Sequence, residues 1–419
     1  GRTTNPTVNR THCSRPRHPL ALPVPESRGA AMSRPFLRTE LCDMLGIEYP
    51  VFSAGMGPVA GGAEPVARAD LVAAVSEAGG LGVIGGVAYS PEDLRAEINK
   101  VRAKTDKPFG VDLLLASNFL EKAGSGPTSA TVPTRDLVPA ETRDALRKMA
   151  ESLGIEWLEA PPPAPTWTVP EGKSYAGAQM EVLLEEKIPV FASGLGSPAP
   201  FSRALKDAGI KIVSLVGNAR AARRVAEGGA DIVVAQGTEA GGHTGKIGTL
   251  ALLPQVMDAV APIPVVAAGG VADGRGLAAV IAAGAIGAWC GTAFLVSNEA
   301  NQPALQKQRI LEAATEDTVV TRLYSGKTMR NITNPLIQAW EASGIRALPM
   351  GLQGVLTRDL LHSIRTAGRD DLLMNAAGQA SGMLQKARPA SEILHEMVAD
   401  ASHLLGARLS ERVQVQVAV

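Results

Sequence analysis

The sequence predicts an α/β protein built as a (β/α)₈ TIM barrel, with a helical insertion after the third strand and a helical C-terminal region. Three observations predict it. Eight short apolar runs occur between Tyr49 and Phe294, most of them ending in glycine or another small or polar residue. Amphipathic stretches of helical period separate most of them. The runs are apolar throughout rather than alternating, as expected for parallel strands covered on both faces. A doubly wound sheet is the competing architecture. It does not require eight strands, and no GxGxxG fingerprint follows the first run.

Taken in order, residues 1–31 are rich in Pro, Arg and Thr and lack any period. They read as a disordered leader. Their apolar stretch from Leu20 to Val24 is too short and Pro-broken for a signal-peptide core. The barrel is expected over 32–300. Its runs are YPVFSAG from Tyr49, LGVIGG at 81–86, FGVDLLLA at 109–116 and IPVFASGLG at 188–196. KIVSLVGN at 211–218, DIVVAQG at 231–237, IPVVAAGG at 263–270 and GAWCGTAF at 287–294 complete them. Helices are expected near 66–78, 91–104, 201–208, 219–228, 250–260 and 273–283. The rhythm breaks at 117–173, which holds a helix-like run at 135–152 and the rigid stretch APPPAPTW. This reads as a helical insertion with a Pro-rich arm at the top of the barrel. Residues 301–419 read as mainly helical, packing on the barrel.

Composition narrows the function. Forty-one Lys and Arg balance 41 Asp and Glu, so no basic excess points to nucleic acid. Aromatics are 4 % of the chain, against a stacking platform for single strands. Cys13, Cys42 and Cys290 are far apart, which gives neither a zinc spacing nor a disulfide framework and fits a reducing cytoplasm. No apolar run reaches the ~18 residues of a membrane helix. A small-molecule substrate is the expected partner, and a homodimer is compatible with the sequence.

Two glycine sites suit a phosphate. Gly269 and Gly270 end the seventh run, and Gly291-Thr292 lies in the eighth. Loops after strands seven and eight of such barrels often hold phosphate on backbone N–H groups. Either pair alone reads as an ordinary βα turn; both at these strands favour a ligand. After the sixth run comes AQGTEAGGHTG. Of the chain's six histidines, His243 alone sits in a glycine-rich loop at a strand end. There it can act as a general base or hydrogen-bond donor near neutral pH. Gly241, Gly242 and Gly245 are expected to leave it without a packing shell. Gln236 can serve a heterocycle edge with donor and acceptor, or simply bond to backbone. SAGMGPVAGG after the first run can let a flat cofactor lie against main chain.

These segments, with VAAVSEAGGLGVIGG, VVAAGGVADGRGLAAVIAAGA, SGKTMRNITN and AGQASGML, resemble the nitronate monooxygenases over roughly Leu41 to Val398, apart from the 117–173 insertion. The resemblance implies a barrel holding FMN non-covalently and oxidising alkyl nitronates, or nitroalkanes, with O₂ to a carbonyl compound and nitrite. It implies that Ala54, Gly55 and Met56 touch the flavin ring, and that Gln236, Gly241 and Gly242 line its ribityl side. Gly269, Gly270, Gly291 and Thr292 would bind phosphate, and His243 would be catalytic. No metal is implied. Two positions depart from the family pattern: Gly55 stands where proline is usual, and Asp112 where asparagine is usual. Asp112 is expected near the flavin. Ionised, it would accept hydrogen bonds but donate none, and would disfavour an anionic reduced ring. The same motifs resemble the FMN-dependent enoyl-acyl-carrier-protein reductases, which would make the substrate an enoyl thioester and the reductant NAD(P)H. A non-catalytic flavin-binding barrel is the third reading.

Overall fold

The computed structural model describes residues 36–58, 64–115, 135–160 and 173–414. The expected leader, and the parts of the expected insertion at 117–134 and 161–172, lie outside them.

The chain enters through α1 (Glu40–Leu45), which ends on Gly46 at φ 67. β1 (Val51–Ser53), α2 (Ala69–Glu77), β2 (Gly82–Gly85), α3 (Pro91–Arg102) and β3 (Phe109–Leu114) follow. Ser90 starts α3, its side chain accepting from the Asp93 N–H, with Pro91 supplying a helical φ at the first position. Next come α4 (Ala140–Ser152), α5 (Tyr175–Glu185), β4 (Val190–Gly194), α6 (Ser202–Asp207), β5 (Lys211–Val216), α7 (Ala219–Glu227) and β6 (Ile232–Gln236). A two-residue strand, β7 (Gly242–His243), precedes α8 (Thr249–Val260), β8 (Val265–Ala268), α9 (Gly274–Ala282), β9 (Ala288–Cys290) and α10 (Thr292–Leu295).

Eight strands form one parallel sheet in the order β1-β9-β8-β6-β5-β4-β3-β2. The sheet closes on itself. The Leu81 N–H donates to Val51 O at 2.9 Å, and the Ser53 N–H donates to Leu81 O at 3.0 Å. This is the (β/α)₈ barrel the apolar runs call for. The barrel interior is filled by Phe52, Leu81, Val83, Val190, Ala192, Val213, Ile232, Val234, Val266 and Trp289, all buried. A second apolar layer, including Val111, Leu113, Phe191, Val233, Leu252 and Leu277, joins strands to helices. With both faces of each strand covered, alternation disappears from the sequence.

After the barrel come α11 (Ala304–Glu312), β10 (Thr318–Thr321), β11 (Met329–Ile332), α12 (Pro335–Ser343), α13 (Leu352–Thr366) and α14 (Ala390–His403). β10 and β11 form an antiparallel hairpin, and β11 adds β7 as a third strand, with Met329 opposite His243 and Arg330 opposite Gly242. The described part of the insertion packs not on the barrel core but on this C-terminal region. Leu146, Met149 and Ile155 share a separate core with Leu336, Trp340, Leu356, Leu360 and Ile364. Burying such side chains contributes ~1.5–3 kcal/mol each. Polar bonds pin the arrangement. Arg135 pairs with the buried Asp359 at 2.7 Å, and the Leu158 N–H donates to Ser363 Oγ at 2.8 Å.

Candidate active site

The carboxyl ends of the strands open on a cavity of about 530 Å³. Ala54, Gly55 and Met56 from the β1 loop, Asp112 from β3 and Gln236 from β6 line it. So do Gly241, Gly242 and His243, then Gly269, Gly270, Gly291 and Thr292. Six separate loops or strand ends thus bring all twelve sequence-selected residues to one space. Its volume lies in the ~300–1,000 Å³ range of small-molecule and cofactor sites.

His243 is fixed from two directions. Its carbonyl accepts from Gln236 Nε2 at 2.6 Å, one of the two roles open to this cavity-lining glutamine. Its Nε2 lies 2.8 Å from Ser325 Oγ in the turn between β10 and β11. Burial, and then the nearby Lys327 ammonium, hold the imidazole below its ordinary value. It is therefore neutral at pH 7, the form that can accept a proton. Among the described residues, Nδ1 has no hydrogen-bond partner. A base role follows if Nε2–H donates to Ser325, which leaves the lone pair on Nδ1.

Gly241 and Gly245 stand in close main-chain contact, which corrects the expectation for those two, whereas a Cβ on Gly242 would meet nothing within 4 Å. A Cβ on Gly241 would stand 2.6 Å from the Ala377 carbonyl carbon, and one on Gly245 2.9 Å from the Gly217 oxygen. They are glycines of close main-chain approach. Segment 377–384 ties the loops together: the Gly378 N–H donates to Thr292 Oγ1 at 2.9 Å, and the Gln379 N–H to Glu239 O at 2.9 Å.

On the adjoining loop after β8, Gly269 and Gly270 have φ 98 and 79, a conformation that side chains disfavour. Among the described residues, the N–H groups of Gly270 and Gly291 have no partner within the protein. Asp273 caps α9, accepting from the N–H groups of Arg275 and Gly276, so that helix start is already supplied with a carboxylate. Asp112 departs from its expected ionised state. Burial alone pushes its carboxyl up to about 8, so it is neutral at pH 7.

Sequence reasoning missed Ser325 and Lys327 as site residues. Both lie in SGKTMRNITNP, but only the β7–β11 pairing carries them to His243. Among the described residues no group of three or more His, Cys, Asp or Glu could hold a metal ion. None of the described helices is long and apolar enough to cross a membrane.

A closed (β/α)₈ barrel with a glycine-rimmed cavity and a fixed, neutral histidine at its carboxyl end has the architecture of an enzyme. The nitronate monooxygenase family model matches residues 38–400, and the chain belongs to that family, a flavin-dependent oxidoreductase. A Mycobacterium tuberculosis protein named as a monooxygenase is 34% identical over 391 residues, covering 88% of this chain and 98% of that one. A second protein from that organism, a dehydrogenase of a hydroxy-methyl-oxo-octahydroindene carboxyl-CoA, is 36% identical over 313 residues, 74% of this chain and 70% of its own. The solved nitroalkane oxidase of Streptomyces ansochromogenes superposes with a TM-score of 0.71 at 30% identity, covering 88% of this chain and 99% of that one.

Proposed function

We propose that the protein binds FMN in this cavity and oxidises alkyl nitronates with O₂. Overall, two nitronates and one O₂ give two carbonyl compounds and two nitrites: each C=N bond is exchanged for a C=O whose oxygen comes from O₂. The observation that carries this reading is the neutral His243, held between Gln236 and Ser325 on the wall of a cavity that glycines from several loops also line.

The residues fit the cofactor. The free N–H groups of Gly270 and Gly291 suit a phosphate. The glycines at 55, 241, 269, 270 and 291 leave room for a flat ring against main chain. Bound FMN would supply the electron-accepting ring. The chain's own residues would do the rest. A nitronate is anionic, and Lys327 on the cavity wall supplies a charge of the opposite sign. His243 would hydrogen-bond the nitro oxygens of a nitronate, or take the α-proton of a neutral nitroalkane on Nδ1. Ser325 would keep the ring in the required tautomer. The test is oxygen consumption with nitrite release on propyl-2-nitronate, which this reading requires and which a non-catalytic barrel would lack.

A second reading, an enoyl thioester reduced with NAD(P)H, has support for its thioester part in the carboxyl-CoA that one relative's name carries. Reduction of the bound flavin by NAD(P)H, with no nitrite formed from nitronate, would favour it.

A further inference from the structure

Asp112 and Gly55 are the two positions where the cavity departs from the family pattern, and in the structure they touch. Asp112 stands on β3 between Gly85 of β2 and Ala192 of β4. A Cβ on Gly55 would lie 2.3 Å from Asp112 Cβ and 2.9 Å from its Oδ2. The Asp112 side chain, from its Cβ outward, thus occupies the room a side chain at 55 would need, and glycine there is required by any side chain at 112. The Oδ1 atom is buried and has no hydrogen-bond partner. Among the described residues, Gly55 stands against the side chain and Gly85 and Ala192 flank it in the sheet, none titratable. His243 and Lys327, the other titratable groups of the cavity wall, sit on the β7 strand and the β10–β11 turn. Among the described residues, no cation or N–H makes a hydrogen bond to this carboxyl group. An ionised group in such a place is costly, whereas a neutral acid offers an O–H donor beside a C=O acceptor.

We infer that Asp112 acts as a neutral carboxylic acid, a paired donor and acceptor that reads an adjacent N–H and C=O on the ring of the bound cofactor. This rests on the FMN reading above. The isoalloxazine carries such an edge, an imide N–H flanked by carbonyls, and a carboxylic acid meets it with two hydrogen bonds. A carboxylate could accept from the N–H but would face the carbonyl with a bare charge. Binding therefore weakens once the acid ionises.

The experiment is FMN titration of the apoprotein between pH 7 and pH 9, followed by quenching of flavin fluorescence, for wild type and Asp112→Asn. The phosphate is already dianionic across this window, since its second pKa is about 6. The imidazole of His243, held low, does not titrate there either. With one ionisation centred on about 8, the wild-type Kd should rise about tenfold from pH 7 to pH 9. The Asn variant, neutral throughout and also a donor-acceptor pair, should stay level and bind as wild type does at pH 7. An infrared difference spectrum of the two apoproteins at pH 7 should show a protonated carboxylic C=O band, lost above pH 9. FMN binding with a level wild-type Kd, an equal rise in Asp112→Asn, or no carboxylic band at pH 7 overturns this inference alone. Failure of wild type to bind FMN at any pH overturns the cofactor reading and this inference with it.

Discussion

Replacing Asp112 by asparagine should stabilise the apoprotein, by an amount that depends on pH in a calculable way. The carboxyl titrates near 3.8 when free and is pushed up to about 8 by burial on β3. A raised folded-state value means that its contribution is fully present below about 4 and is lost as pH rises through about 8. Asparagine does not titrate. The stability gap between variant and wild type should be near zero at pH 3.5. It should then widen by ~1.4 kcal/mol for each pH unit in which the unfolded chain has lost the proton and the folded one keeps it. That slope follows from counting one proton. Only the pH at which the gap levels off depends on the exact native value. Between pH 5 and pH 7 the gap should grow by about 3 kcal/mol, with a plateau of order 5 kcal/mol above pH 8, lowered by any cavity water that solvates the carboxylate. Urea unfolding of both apoproteins at pH 5, 6, 7 and 9 measures this directly. A gap that stays constant from pH 5 to pH 8 would show Asp112 already ionised in the folded protein.

Three further outcomes follow from the site. His243→Ala should retain FMN and lose ~10²-fold or more on a neutral nitroalkane, where a base is required. On a preformed nitronate it should lose only a few tens of fold, the worth of a charge-assisted hydrogen bond of ~2 kcal/mol; equal losses on both substrates would leave His243 an orienting role only. Ser325→Ala removes the 2.8 Å partner of His243 Nε2 and should lower kcat on the nitroalkane by roughly tenfold, with FMN affinity unchanged. Its pH profile should shift as the imidazole is released, and an unaltered profile would deny Ser325 a positioning role. Gly291→Asp should purify with little flavin, read from the ratio of visible to protein absorbance. Gly291 sits at φ −100, and its Cβ would meet Ala54 only at 3.6 Å, so the added charge acts without backbone strain. At Gly270, with φ 79, strain and charge would act together.

The barrel was legible because its strands are apolar on both faces and end in small residues, a pattern that local sequence displays. β7 was not. Gly242 and His243 have no strand signal of their own, and they pair only because β11 arrives from 86 residues further along, Met329 opposite His243. The same distance hid Ser325. The amphipathic run at 135–152 showed that α4 has a face to bury, but not that Trp340, Leu356 and Leu360 would cover it. The glycines of the histidine loop were visible as residues that admit close approach. What approaches them, the main chain at Ala377 and Gly217, is set by tertiary contacts. At Asp112 sequence alone suggested a charge. Its neutrality comes from burial on β3 with Gly55, Gly85 and Ala192 beside it and, among the described residues, no donor bonded to it.

The proposed function requires that electrons reach the cavity's flavin from a nitronate. Its most direct test is the visible spectrum of the FMN-loaded protein under anaerobic conditions, after addition of propyl-2-nitronate to one sample and NADPH to another. The account predicts that nitronate bleaches the flavin absorbance promptly, that admitted oxygen restores it with nitrite in solution, and that NADPH leaves the spectrum unchanged. Prompt bleaching by NADPH with no response to the nitronate would contradict it.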